Sequence, residues 1–351
     1  MKLRPARYRL SRMGAARAAA VLVATALTAA VAIGGWEGRP ATPADAGTPA
    51  GSGAPAQTIE QHRIHGTRFR SDGKVTAPPK VTMRAWAIAD MDTGTILAVH
   101  AYRQHLPEAS TLKLLTAVTA SFRVPARSHQ VSYAEAHPAY CTCAGLIPGK
   151  WYRRSALLTG MLLPSGNDAA EAIAGADPHG RAAFIAAMNR RALRLGATDT
   201  HAANPSGLTA AGAYSSARDL LILLRAAQAN RLVEPYLEKL SGQVGPVRGP
   251  MHTVYRGTEY VNLYPTAQGK SGFTTPAGNT LVVSTPIATP LGVRRIGVAT
   301  LGAPGGRSVT GTRRLTEWAA ANYPFLTGVA TLPPAPGPVV GAQAAYVPST
   351  P

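Results

Sequence analysis

The stretch "HLPEASTLKLLTAVTA", His105–Ala120, sets a lysine three residues after a serine at the start of an apolar helix. Leu112, Leu114, Leu115 and Val118 recur at helical spacing. Pro107 and Glu108 suit the entry to such a helix. Ser110 and Lys113 stand at i and i+3, on one helical face, so the amine can reach the hydroxyl. A charged lysine among leucines wastes desolvation energy unless something uses it. Held partly out of water, its pKa falls and it can act as a base. Taken alone, Ser-x-x-Lys recurs by chance and reads as a capping serine followed by a solvated lysine, so the rest of the chain has to decide.

The chain has 351 residues, 46% of them hydrophobic, enough for one large domain or two ordinary ones. Formal charge is +19, from 36 Lys+Arg against 17 Asp+Glu. That balance raises nucleic acid as a partner. The arginines are scattered, however, and no basic run interleaved with aromatics occurs, so no nucleic acid is expected. A solvated arginine-rich surface accounts for the charge; attraction to anionic wall polymers is the functional alternative.

Lys2, Arg4, Arg7, Arg9, Arg12 and Arg17 make a basic start without an acid, and Ala18–Trp36 follows uncharged and apolar. Residues 1–36 therefore read as an export signal, either cleaved or kept as a membrane anchor, since about 20 apolar residues can also span a bilayer. Cleavage would fall at Ala30-Val31-Ala32 or near Ala44–Gly47. The working part is expected on the outer side of the plasma membrane, with the membrane met only through that anchor. Cys141 and Cys143 suit an oxidising compartment. Two residues apart in an extended segment, they share a face, with Cα atoms near the upper end of the disulfide range, so a local bridge is expected ahead of the alternative, two reduced thiols. No second ligand pair points to zinc.

Residues 37–80, rich in Pro, Ala, Gly, Thr and Ser, read as a flexible tether, and residues 327–351 as a disordered Pro-rich tail. The globular part, residues 81–326, opens with "MRAWAIADMDTGTILAVH": strand, turn at Asp92-Thr93-Gly94, strand. Helical pattern follows in "DAAEAIAGA", in "RAAFIAAMNRRALRLGA" and in "SSARDLLILLRAAQAN", the last with a Ser216-x-x-Asp219 capping box. The β-branched runs "NTLVVST" and "VRRIGVATLG" come late, before a final amphipathic helix, "TGTRRLTEWAAANY". Strands at both ends and helices between suggest an α/β fold: an antiparallel sheet closed by the two ends of the chain, flanked by helices, with an inserted all-helical region.

Two polar clusters complete the pattern: "LLPSGNDAAEA", with Ser165, Gly166 and Asn167, and "QGKSGFTTPAGNTLVV", with Lys270, Ser271 and Gly272. Each alone is an ordinary turn or strand edge. With Ser110-x-x-Lys113, in this order, they form the three-part signature of serine β-lactamases and penicillin-binding proteins. On these motifs, and on "ADMDTGTILAVH" and "MNRRALRLGATDTHAANPSGLTAAGAYSSARDL", residues 83–323 resemble the low-molecular-mass D-alanyl-D-alanine carboxypeptidases, serine-type penicillin-binding proteins of actinobacterial kind.

The resemblance implies the β-lactamase/DD-peptidase fold and a role for each matched residue. Ser110 would be the nucleophile, Lys113 its base, and Ser165 a proton relay to the departing amine. Asn167 would bind the substrate amide. Lys270 and Ser271 would hold the terminal carboxylate, and Gly272 would let the strand lie close to substrate. The backbone N–H groups of Ser110 and Phe273 would form the oxyanion hole. The implied partners are a peptidoglycan stem peptide ending in D-Ala-D-Ala and, as inhibitors, β-lactam antibiotics.

Two positions depart from the family pattern. Ser271 replaces the usual threonine and keeps the hydroxyl, and Glu108 stands where a second proline is usual, with no catalytic role assigned. A class A β-lactamase would also need a deacylating glutamate in E-x-x-x-N between the second and third motifs; "EYVN", Glu259–Asn262, is one residue too short. A non-catalytic wall-binding module on the same fold would be marked by loss of a motif residue, and none is lost. The motifs supply nucleophile, base and anion site from side chains, and His105, His137, His201 and His252 lack metal spacing, so no metal or organic cofactor is expected.

Overall fold

A computed structural model describes residues 59–64 and 66–337. The export segment, the first part of the expected tether and residues 338–351 lie outside them. In chain order the elements are β1 (Glu60–Ile64), β2 (Thr67–Ser71), β3 (Ala85–Asp90), β4 (Thr95–His100), a 3-10 turn (Ala109–Leu112), α1 (Lys113–Arg123), β5 (Ser128–Gln130), α2 (Tyr133–Ala136), β6 (Trp151–Arg153), α3 (Arg154–Leu162), α4 (Asn167–Gly175), α5 (Gly180–Arg194), α6 (Ala217–Gln228), α7 (Glu234–Leu237), β7 (Ser241–Val244), β8 (His252–Tyr255), α8 (Tyr260–Leu263), β9 (Gln268–Thr274), β10 (Gly278–Thr289), β11 (Gly292–Ala303), α9 (Ser308–Asn322), β12 (Leu326–Thr327) and β13 (Ala330–Thr331).

The main sheet runs β1-β2-β4-β3-β11-β10-β9, with β12 beside β2 and β13 beside β4. All pairings are antiparallel. The first hairpin forms as its sequence dictates: Asp90 Oδ1 accepts the N–H groups of Asp92 and Thr93, and Gly94 takes φ +83°. Side chains on β3 alternate. Ala85, Ala87 and Ala89 face one core with α1 and α6; Trp86 and Ile88 face a second core with Leu315 and Trp318 of α9. Helices thus cover both faces of the sheet. α1 is buried from Lys113 to Ala120, as a helix surrounded by α3, α4, α5 and α6 must be. The inserted region between β4 and β9 is mainly helical and also carries two small two-stranded sheets, β5–β6 and β7–β8.

Two expectations are corrected. Within the tether, β1 and β2 pair with each other, and β2 continues the main sheet through β4. Polar residues such as Arg68 and Arg70 hid this strand, because its alternate residues Thr67, Phe69 and Ser71 are the buried ones. Within the tail, β12 and β13 cap the same end of the sheet, and Leu332 is 2% exposed, its N–H bonded to Gly94 C=O. The two prolines after Leu332 had masked this segment. Leu332→Ala should therefore cost about 2–5 kcal/mol in urea unfolding, the usual range for a buried leucine; a midpoint equal to wild type would return these residues to a loose tail.

Candidate active site

The turn carrying Ser110 is clamped on three sides. The Glu108 carbonyl accepts hydroxyl hydrogen bonds from Thr111 and, at 3.0 Å, from Thr280 on β10. Ala109 is held at φ +50°, a left-handed conformation that costs about 1–3 kcal/mol and persists only when its surroundings enforce it. They do so through two glycines. A Cβ on Gly207 would fall on the Ala109 carbonyl. A Cβ on Gly272 would lie 2.6 Å from Ser110 N and 2.7 Å from Thr280 Oγ1. Ser110 is the second residue of the 3-10 turn, so its N–H has no acceptor within the turn.

Lys113 opens α1 and is fully buried. Its Nζ lies 2.7 Å from Ser110 Oγ, 2.7 Å from Asn167 Oδ1 and 2.8 Å from the Ser206 carbonyl. Burial drives its pKa well below the usual lysine range, and the charge of Lys270 pushes it further down; Asp168 and Glu171 oppose the shift. A neutral amine suits the three contacts: two N–H groups donate to Asn167 and Ser206, leaving the lone pair for the Ser110 hydroxyl proton.

Both acceptors are themselves fixed. Asn204 Oδ1 accepts the N–H groups of Ser206, Gly207 and Leu208, which shapes the loop offering the Ser206 carbonyl. Asn167 donates its backbone N–H to Thr142 C=O at 2.7 Å and Nδ2 to Tyr140 C=O at 2.8 Å. Those carbonyls flank Cys141, which is joined to Cys143 with Cα atoms 5.0 Å apart, mid-range rather than at the upper end expected. The buried Asp168 carboxylate accepts the N–H groups of Ala144 and Leu146 and holds the rest of this loop. The Asn167 amide, expected to face substrate, is thus shared between Lys113 and Tyr140, with one N–H left over.

Lys270 on β9 donates to Ser165 Oγ at 2.9 Å and to the Ser271 carbonyl at 2.8 Å. Burial lowers its pKa to about 7, helped by the nearby Arg256 charge. Arg256 donates to the carbonyls of Ala267 and Gly269 and so braces the start of β9. Ser165 sits at φ +68°, a second left-handed residue in the site. Lys270 pairs with Val282 and Ser271 with Leu281, residues of opposite cores, so Ser271 points to the other face of β9. Its hydroxyl donates to Gly257 C=O. Five of the expected side chains, Ser110, Lys113, Ser165, Asn167 and Lys270, therefore fall into two hydrogen-bonded groups, one around Lys113 and one around Lys270, with Gly272 packed against Ser110 and Ser271 turned away. Phe273 is exposed on the lip of a groove of about 570 Å³ that Ser110, Tyr140, Cys141, Asn167, Leu208 and Thr274 also line. Hollows of 520 and 510 Å³ elsewhere contain none of these groups.

A buried amine whose pKa is driven down, placed on a serine beside a second lysine at a sheet edge, is an arrangement suited to acyl transfer. The family described as D-alanyl-D-alanine carboxypeptidase matches residues 72–304. The chain belongs to this carboxypeptidase family. It is 37% identical over 210 residues to D-alanyl-D-alanine carboxypeptidase DacB2 of Mycobacterium tuberculosis, covering 58% of this chain and 70% of that protein. It is 30% identical over 223 residues to the D-alanyl-D-alanine endopeptidase of Escherichia coli, covering 60% and 69%. It spans 41% of the longer Escherichia coli carboxypeptidase DacD. Among solved structures, a D-alanyl-D-alanine carboxypeptidase of Mycobacterium tuberculosis superposes with TM-score 0.66 at 32% identity, over 72% of this chain and 97% of that one. The Streptomyces K15 DD-transpeptidase, at 23% identity and TM-score 0.64, shares the fold.

Reading the sequence missed Ser206, Asn204, Arg256 and the carbonyls of Tyr140 and Thr142. Most act through the main chain, which a side-chain motif does not show. "NPSGLT" carried the nearest signal, because an Asn-Pro-Ser-Gly turn is built to present carbonyls. Gly272→Ala tests the clamp: the methyl displaces Ser110, and acylation by penicillin should fall about 10²-fold, the scale of an ångström-sized misplacement, with unchanged circular dichroism. A rate within a few-fold of wild type would mean the contact is not tight.

Proposed function

We propose that this chain is a serine-type D-alanyl-D-alanine carboxypeptidase that trims terminal D-alanine from peptidoglycan stem peptides through an acyl-enzyme on Ser110, and that β-lactams acylate the same serine. The observation that carries the reading is the buried Lys113 amine, 2.7 Å from Ser110 Oγ and driven toward neutrality by burial.

Ser110 Oγ attacks the carbonyl carbon of the penultimate D-alanine as its proton passes to Lys113 Nζ. The N–H groups of Ser110 and Phe273 take up the oxyanion, a contribution worth on the order of 10²–10³ in rate per donor. As the C–N bond breaks, Ser165 gives its proton to the departing amine, and Lys113 restores it. Lys270, bonded to Ser165 Oγ, stabilises the passing alkoxide. Water then attacks the ester, Lys113 takes its proton, and Ser110 leaves with that proton restored. The Lys270 charge holds the terminal carboxylate. The same carbonyl-plus-carboxylate pattern in a β-lactam fills the same places, and among the described residues no carboxylate hydrogen-bonds Ser110 or Lys113 to drive deacylation. The basic, then apolar N-terminus supports work on the wall side of the plasma membrane, secreted or anchored, where trimming limits the donors left for cross-linking and so bears on cell shape.

Release of D-alanine from a pentapeptide ending in D-Ala-D-Ala should be accompanied by a long-lived penicillin adduct on Ser110; no release and no adduct would defeat the reading. Lys113→Met and Lys113→Arg should both lower acylation by about 10²–10⁴ while circular dichroism stays close to wild type. A nearly silent pair would mean that another group is the base.

The pH profile carries a sign. Lys270 holds the carboxylate only as a cation, which it is below its folded pKa of about 7. Hence kcat/KM, which reports the free enzyme, should fall about tenfold per pH unit above that value. A profile flat to about pH 9 would remove Lys270 from that role.

A further inference from the structure

Glu108 lies two residues before Ser110 and is 1% exposed. Among the described residues, neither oxygen of its carboxyl has a hydrogen-bond partner. The turn packs against α1, β9 and β10, and against the Asn204–Leu208 loop. Their charged groups are engaged elsewhere: Lys113 with Ser110, Asn167 and Ser206, Arg123 with Asp177, and Lys270 with Ser165. β10 and the loop carry no titratable side chain. Burial pushes the Glu108 carboxyl up to about 8; its own backbone N–H, which does not reach hydrogen-bond geometry, opposes this only weakly.

The main chain of Glu108 is tied down, in contrast to its side chain. Its carbonyl holds Thr111 and Thr280, and the next residue is the left-handed Ala109. A carboxylate drawn toward water must pull on that carbonyl, and Ser110 N has no slack against Gly272. Proline, usual here in the family pattern, has nothing to ionise.

We propose that Glu108 is a positioning residue that works only uncharged: as the neutral acid it fills the space under the Ser110 turn, and on ionising it leaves that space and unseats the nucleophile, closing the enzyme at alkaline pH. The inference rests on Ser110 being the nucleophile.

The test compares wild type with Glu108→Gln and Glu108→Met, both uncharged at every pH. The readout is labelling of Ser110 by an aryl fluorophosphonate, which has no carboxylate and so does not need the Lys270 charge. From about pH 6 to pH 10 the wild-type rate should bend downward near pH 8 and lose about tenfold per unit beyond it, as expected for one titrating group. The variants should match wild type at about pH 6 and show no such bend. Identical profiles for all three would overturn the proposal. Failure to label Ser110 at about pH 6 would instead refute the nucleophile assignment, and this inference with it. Hydrogen exchange of wild type over residues 106–112, corrected for intrinsic rates, decides even where a variant fails to fold. Protection should drop between about pH 6 and pH 9, and unchanged protection would overturn the proposal.

Discussion

Removing an amine from water costs several kcal/mol if it stays charged and little if it becomes neutral and finds hydrogen-bond partners. Burial drives Lys113 toward the second course, and the domain supplies what that needs. Its three polar partners come from 3, 54 and 93 residues further along or back in the chain. Ser110 is supplied by the turn before α1, Asn167 by the first residue of α4, and Ser206 by a loop wound around Asn204. For all three to meet, α1 must be central and surrounded, as its burial from Lys113 to Ala120 shows. The desolvation that lowers the lysine pKa is therefore a product of the same packing that folds the helical region.

The sheet supplies the other half. Among the described residues, β9 is its last strand, paired on one side only, with β10. An open edge is a hazard for aggregation and also a template for an extended peptide. Here the edge is set against Ser110, and closeness is bought with glycine: Gly272 has room for hydrogen alone between Ser110 N and Thr280 Oγ1. The same register turns Lys270 inward to Ser165 and leaves Phe273 outward on the groove. One residue of slip would exchange those roles, so the β9–β10 register matters to the chemistry as much as to the fold.

The sequence was most legible where a side chain both forms structure and does chemistry. Helical spacing around Ser110 and Lys113, the Asp92-Thr93-Gly94 turn and the β-branched β10 and β11 all appear where their patterns place them. Two kinds of feature stayed hidden. Short strands at the sheet margin, β1, β2, β12 and β13, are written in Pro-rich or arginine-rich segments, and only alternate residues such as Phe69 reveal them. Main-chain contacts, such as the carbonyls of Tyr140, Thr142 and Ser206 that set Asn167 and Lys113, have no residue-type signature. Ser271 shows a third limit. Its hydroxyl matches the motif, yet strand alternation turns it from Lys270 toward Gly257.

Lys113 and Glu108 flank Ser110 within five residues, and both are ionisable groups in a dry interior. Burial favours the neutral form of each, which moves their pKa values in opposite directions. What separates them is partnership. Lys113 has three polar contacts, so its neutrality becomes a usable lone pair aimed at a hydroxyl. Glu108 has none on its carboxyl, so its neutrality does no chemistry and only permits it to stay. A chain that needed only shape there could use an apolar residue or the family's proline. Keeping a carboxyl ties the seat of the serine to proton concentration from below the turn, just as Lys113 ties its reactivity to proton concentration from above, so that both ends of the pH range act on the same few ångströms of backbone.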